Sequence, residues 1–288
     1  MSIDVPAASQ MKDARARSRT RGRGRTLRVE RRWPLWQTLA WQVGIVLFVN
    51  GLWEFSARRA WVDPFYWSYP SQIGAKFAVF VGSGQALVDT SFTFEATILG
   101  FVLGTLTGAV IGLSFWWSSN YTAVAQPFLI CFEATPKLAL APMIVIVFGI
   151  GLASKVALGI ALTMIVTTLT TSAAVRSVDR DSEKLLYSLG ASRWQVFTKL
   201  VIPSVLPWIV SCLRINIGLA LTGAVIGEFV SSQHGLGRQI LYAGQIYDVA
   251  LIWVAVGVLA ALSVAMYIAV GQLERVLLKG LTHATMTR

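Results

Sequence analysis

With 288 residues, 55% of them apolar and only 14% charged, the chain has too little polar surface to close as an ordinary soluble globule. Its 25 Lys and Arg against 14 Asp and Glu give a net charge of +11, and that charge is concentrated rather than spread. No Gly-Lys dipeptide, Gly-x-Ser-x-Gly or His-Glu-x-x-His occurs, and the only histidines are His234 and His283. These absences exclude an ATPase built on the usual phosphate loop and argue against intramembrane hydrolysis, so no catalytic residue, cofactor or metal is expected.

Residues 1–36 hold ten Lys and Arg against Asp4, Asp13 and Glu30. The run from Arg15 to Arg25 has the composition of an arginine-rich RNA-binding segment, but a disordered topology signal that also touches anionic lipid explains it without a nucleic-acid partner. No Ala-x-Ala site follows the first apolar stretch, so a cleaved signal peptide is not expected. Six stretches then reach the roughly 17–25 residues needed to cross a bilayer as a helix: Leu35–Phe55, Phe92–Trp117, Tyr121–Ile150, Val156–Val175, Val205–Val230 and Ala250–Val270. Placing the N-terminus inside puts eighteen of the 25 basic residues on that side, in the tail, in 176–204 and in 271–288. The opposite side receives Arg58, Arg59, Lys76 and Arg238. The expected fold is therefore an all-α polytopic membrane protein with six transmembrane helices and both termini cytoplasmic. Residues 1–34 form a disordered basic tail, and 35–288 a transmembrane domain with a cytoplasmic loop at 176–204.

Between the first two spans, Trp61, Phe65, Tyr66, Trp67 and Tyr69 form an aromatic belt, and Ile73, Phe77, Phe80 and Val81 share one face of a short helix lying on the membrane. The second span carries Gly100, Gly104, Gly108 and Gly112, which allow another helix to approach along one face. The third span is 30 residues long and is interrupted by Pro127, Pro136 and Pro142, with Glu133 and Lys137 four residues apart. Prolines and charges at membrane depth belong where the chain faces protein or a hydrated cavity, so Glu133, Pro136, Lys137 and Pro142 are candidate pathway residues. Arg214 and Glu228 in the fifth span join them, each as a pathway group or as half of a structural pair. Uncharged in these bounds, the fourth and sixth spans are expected to face lipid or scaffold. Cys131 and Cys212 lie inside spans as packing residues.

The 176–204 loop is the most structured polar segment. Asp181 or Ser182 can cap a two-turn helix, Gly190 suits a left-handed stop, Ser192 and Gln195 spell a capping box, and Pro203 is expected to end the second helix. A helix–glycine–helix unit beside a membrane is suited to being gripped by a soluble partner.

The stretch from Lys184 to Pro207 resembles the EAA loop of bacterial ABC importer permeases. Gly190 and Pro203 hold that loop's spacing and Leu200 and Ile202 its apolar positions, while Lys184, Leu185 and Leu186 replace Glu-Ala-Ala. Thr135 to Pro142, Phe148 to Gly151 and Gly235-Leu236-Gly237 are similar to the nitrate, sulfonate and taurine permease subfamily. That resemblance implies the type I importer fold in an inner membrane and a homodimeric pathway. It also implies a pair of ATPase subunits docked on Lys184, Leu185, Leu186, Leu189, Gly190, Ala191, Ser192 and Pro203, and a periplasmic or lipid-anchored binding protein that delivers a small, anionic solute. ATP binding would draw the two loops together and open the cavity outward. A secondary transporter or channel coupled through Glu133, Lys137, Arg214 and Glu228 is the rival, and would not need a capped helix pair in one loop. A membrane-anchored interaction protein would leave the polar groups of the third span without a purpose.

Overall fold

The computed structural model describes residues 34–286, and all regular structure among them is helical. In chain order the helices are α1 (Leu35–Arg58), α2 (Pro64–Trp67), α3 (Pro70–Gly82), α4 (Gln85–Ser114), α5 (Ser119–Ala134), α6 (Ala141–Phe148), α7 (Leu152–Arg176), α8 (Arg180–Ser188), α9 (Arg193–Val196), α10 (Ile202–Val230), α11 (Leu236–Gln245) and α12 (Val249–Met286). Short 3-10 turns lie at Phe115–Trp117 and Lys137–Leu140, and a π turn at Phe197–Val201. Five helical stretches among the described residues are long and apolar enough to cross a membrane; α5 and Lys137–Phe148, bent by 82° at their junction, make a sixth if they count as one span. The basic tail expected over 1–34 lies, but for its last residue, outside the described residues.

Two compact units divide the chain, one ending at Gly51 within α1 and one beginning at Leu52. The second contains the core. Lipid tails are as apolar as leucine, so helices in a bilayer are held by close packing and hydrogen bonds rather than by hydrophobic drive. The glycine stripe of α4 supplies the packing. A Cβ on Gly100 would lie 3.0 Å from Gly159 Cα, one on Gly104 1.8 Å from Thr163 Oγ1, one on Gly108 2.5 Å from the Met164 carbonyl, and one on Gly112 2.4 Å from Thr171 Cβ. Every one of these neighbours belongs to α7. A Cβ on Gly223 of α10 would lie 2.8 Å from Gly159 Cα, so α4, α7 and α10 meet backbone to backbone around Gly159.

Of the two surroundings expected for the fourth span, scaffold dominates: α7 packs against α4 and α10, with buried positions recurring from Ser154 to Val175 and mostly half-buried ones between them. Its threonines tolerate burial by donating within the helix, Thr163 Oγ1 to the Gly159 carbonyl, Thr167 Oγ1 to that of Thr163 and Thr168 Oγ1 to that of Met164, each at 2.8 Å. From α10, Asn216 Nδ2 donates to Thr105 Oγ1 of α4 at 3.0 Å and to Thr167 Oγ1 at 2.7 Å, tying the three helices together.

Contrary to expectation, Pro203 does not end the second loop helix. The segment runs on from Arg193 to Val230 as one span, with the π turn placed just before the proline. A wider turn accommodates a ring that can neither donate nor fit the regular ladder. Around it Phe197, Val201 and Val205 pack on Ala174 and Val175 of α7.

Candidate functional site

The α8–α9 unit is built from local signals. Asp179, rather than Asp181 or Ser182, is the N-cap of α8: its carboxylate accepts from the backbone N–H groups of Asp181 and Ser182, both at 3.1 Å. The Ser182 hydroxyl and these two amides hold the Asp179 carboxyl below its ordinary pKa. Asp181 and Glu183 in the first turn suit the positive end of the helix dipole, and Lys184 bonds Asp181 at 3.0 Å. At the other end Gly190 is left-handed, with φ +83°. The Ala191 N–H reaches the Leu186 carbonyl and the Gly190 N–H that of Tyr187, both at 3.0 Å, which closes a Schellman motif. Ser192 and Gln195 form both halves of the capping box, at 3.3 and 2.8 Å. Held rigid at both ends, α8 exposes Leu185 (60%) and Leu189 (74%), while Leu186 is half-buried and Lys184, Ser192 and Pro203 are exposed.

Along the broken span, Ser118 caps α5 and Pro127 lies inside it. Pro136 stands in the break itself, whereas Pro142 occupies the first turn of α6, where a missing N–H costs nothing. Lys137 Nζ lies 3.2 Å from Glu133 Oε2 and bonds the Glu133 carbonyl at 3.0 Å. Arg214 is elsewhere, ion-paired with Glu274 of α12 and lying over the Tyr267 ring, 5.8 Å from its centroid. The sixth span therefore continues into a charged turn that its apolar stretch did not include.

Glu228 belongs to a different group, and its partners were not legible in the sequence. It is 1% exposed, and its carboxylate accepts from Thr93 Oγ1 at 2.9 Å and from the Gly237 N–H at 2.7 Å. Lys155 Nζ lies 3.7 Å from Oε1 and donates to the His234 carbonyl at 3.1 Å. Beside them the buried Asp89 accepts from the Gly235 N–H at 2.8 Å, from Gln239 Nε2 at 2.7 Å and from Gln85 Nε2 at 3.0 Å. Thr93 also accepts from the Leu236 N–H at 2.9 Å. This polar latch joins the starts of α4 and α7, the end of α10 and the start of α11. It also accounts for the Gly-Leu-Gly sequence, since a Cβ on Gly235 would fall 2.2 Å from Glu228 Oε1 and one on Gly237 2.9 Å from Oε2. Lys155 precedes the apolar stretch of its span by one residue, and Asp89 precedes that of α4 by three. Only a helix start placed upstream of each stretch would have revealed them.

These features describe a multi-span membrane protein with a structured polar loop between two of its spans. A family model for the binding-protein-dependent transport system inner membrane component matches residues 80–279, and the chain belongs to that family. It is 31% identical to the riboflavin transport system permease protein RibX of Chloroflexus aurantiacus over 85% of this chain and 91% of that one. Identity to the taurine transport system permease protein TauC of Escherichia coli is 26%, over 86% and 92% of the two chains. The solved structure of a bacterial ABC transporter involved in the import of the acidic polysaccharide alginate has the same fold, with TM-score 0.60 and 16% identity over 84% of this chain and 98% of that one. The protein is thus a multi-pass permease subunit of an ABC importer, a transport component rather than an enzyme.

Proposed function

We propose that two copies of this chain form the membrane pathway of a bacterial inner-membrane importer that moves a small solute bearing an anionic group. In this reading both termini and the 176–204 loop are cytoplasmic, and α8 inserts into a groove on each of two ATPase subunits. A periplasmic or lipid-anchored binding protein delivers solute to the opposite face. The observation that carries the docking role is α8 itself, capped at both ends and presenting Leu185 and Leu189 to solvent. Apolar anchors dominate interface energy, whereas a rim charge such as Lys184 alters association more than strength. Leu189→Asp is expected to weaken ATPase binding by about 30-fold or more, the loss of one hot spot, while the permease keeps its thermal stability in detergent. Co-purification at wild-type stoichiometry would sink the docking role.

The anionic character of the solute rests on Lys137 in the break of the third span and on the likeness to a taurine permease. The riboflavin permease is similar to this chain as well, and riboflavin carries no acid group, so a charge series decides. If an anionic group meets Lys137, Lys137→Gln cuts uptake of taurine or another sulfonate while Glu133→Gln leaves it largely intact. Equal damage from the two, repaired in the double neutral variant, would make the pair structural and remove the anionic reading.

A further inference from the structure

The loop that carries α8 has two mechanical routes into the membrane region. One is covalent, through α9 and the π turn into α10. That route is locally weak, because the turn is wide and Pro203 has no N–H to add to the ladder. The other is a side-chain clamp. The Arg193 guanidinium lies over Trp116 and Trp117, 5.4 and 5.1 Å from their centroids, and donates to the Trp117 carbonyl. Trp194 stacks on Trp117 at 6.1 Å, and Phe197 meets Trp116 at 5.4 Å and Trp117 at 5.3 Å. Trp116 and Trp117 form the turn that ends α4, and Trp116 also packs against the cluster holding Ala174 and Val175 of α7.

We propose that Arg193 is a positioning residue for import, carrying the displacement of the docked α8 into α4 and so into the α4–α7 pair that the glycine stripe makes one body. This rests on the docking of an ATPase at α8. A planar guanidinium can stack on two rings and still bond a carbonyl; an ammonium on a flexible stem cannot hold both contacts. Without the clamp, displacement of α8 is absorbed at the π turn and Pro203, and ATP is hydrolysed without turning the pathway over.

The test uses the complete importer in proteoliposomes, with three readouts: ATPase subunit retained, ATP hydrolysed, and solute taken up per ATP. Arg193→Ala is expected to keep the ATPase subunit and its hydrolysis while uptake per ATP falls by about tenfold, within the range a lost coupling contact produces. Trp117→Leu with Arg193 intact should reproduce that phenotype. If Arg193→Ala does not give a monodisperse complex, Arg193→Lys is read in its place, and the same fall is expected. Unchanged uptake per ATP would overturn the proposal. So would a parallel loss of bound ATPase and hydrolysis, which would mean that the clamp only holds the docking surface in shape. Leu189→Asp run alongside separates the two claims. If it still retains the ATPase, the docking role fails; if it releases the ATPase while Arg193→Ala couples normally, only the clamp fails.

Discussion

Replacing Lys155 with methionine is expected to destabilise the permease by about 3–5 kcal/mol, because it leaves the Glu228 carboxylate buried without its cation. The side chain is 4% exposed, so no water can replace the ammonium cheaply. Removing both charges should recover most of the loss. In Lys155→Met/Glu228→Gln the glutamine amide oxygen can still accept from the Gly237 N–H and the Thr93 hydroxyl, both charges of the pair are gone, and the buried Asp89 carboxylate keeps its own three donors. Thermal unfolding in detergent reads the difference. A double variant no more stable than the single one would show that the charge pair is not what holds the latch.

Gly108→Ala is expected to lower stability by about 1–3 kcal/mol, the usual result of overpacking a closed interface. Its new methyl would sit 2.5 Å from the Met164 carbonyl and 2.7 Å from Thr167 Cβ, and backbone on α7 cannot step aside as a flexible side chain would. Gly218→Ala is the control. Nothing lies within 4 Å of that position, so the change is expected to be neutral or to gain up to about 1 kcal/mol from helix propensity. Equal melting temperatures for the two variants would argue that α4 and α7 do not pack as closely as the stripe implies.

Local signals were legible and long-range ones were not. The Schellman stop at Gly190 and the Ser192–Gln195 box each lie within a few residues of their partners, so the α8–α9 unit could be read almost to the residue. The α4 stripe was legible because four glycines repeat at the helical period. Its receiving surface was not, since Gly159 and Gly223 are single glycines in apolar runs and the α7 threonines resemble ordinary filler. Hydropathy also cut the spans too short. It removed Asp89, Lys155 and Glu274 from the helices they belong to, and with them the partners of Gly235, Glu228 and Arg214. Asn216 stood alone in its sequence and found its partners only in three dimensions. The run through Pro203 depends on the π turn, for which the sequence carries no local marker.

The latch also constrains how the chain is made. Lys155 is synthesised 73 residues before Glu228, and at about 5–20 residues per second α7 waits roughly 4–15 s for its counter-charge. An unpaired lysine at the centre of a span costs about 2.5–3.5 kcal/mol on insertion scales. Lys155 avoids most of that by standing in the first turn of α7, where its long side chain can reach up to the interface. Only when α10 has entered can the ammonium turn inward to Glu228 and the His234 carbonyl, and only then do Gly235 and Gly237 have a carboxylate pair to close upon. Order of synthesis is therefore expected to set the order of assembly: the glycine-packed α4–α7 pair first, then α10, and the segment from His234 to Gln239 fastened last.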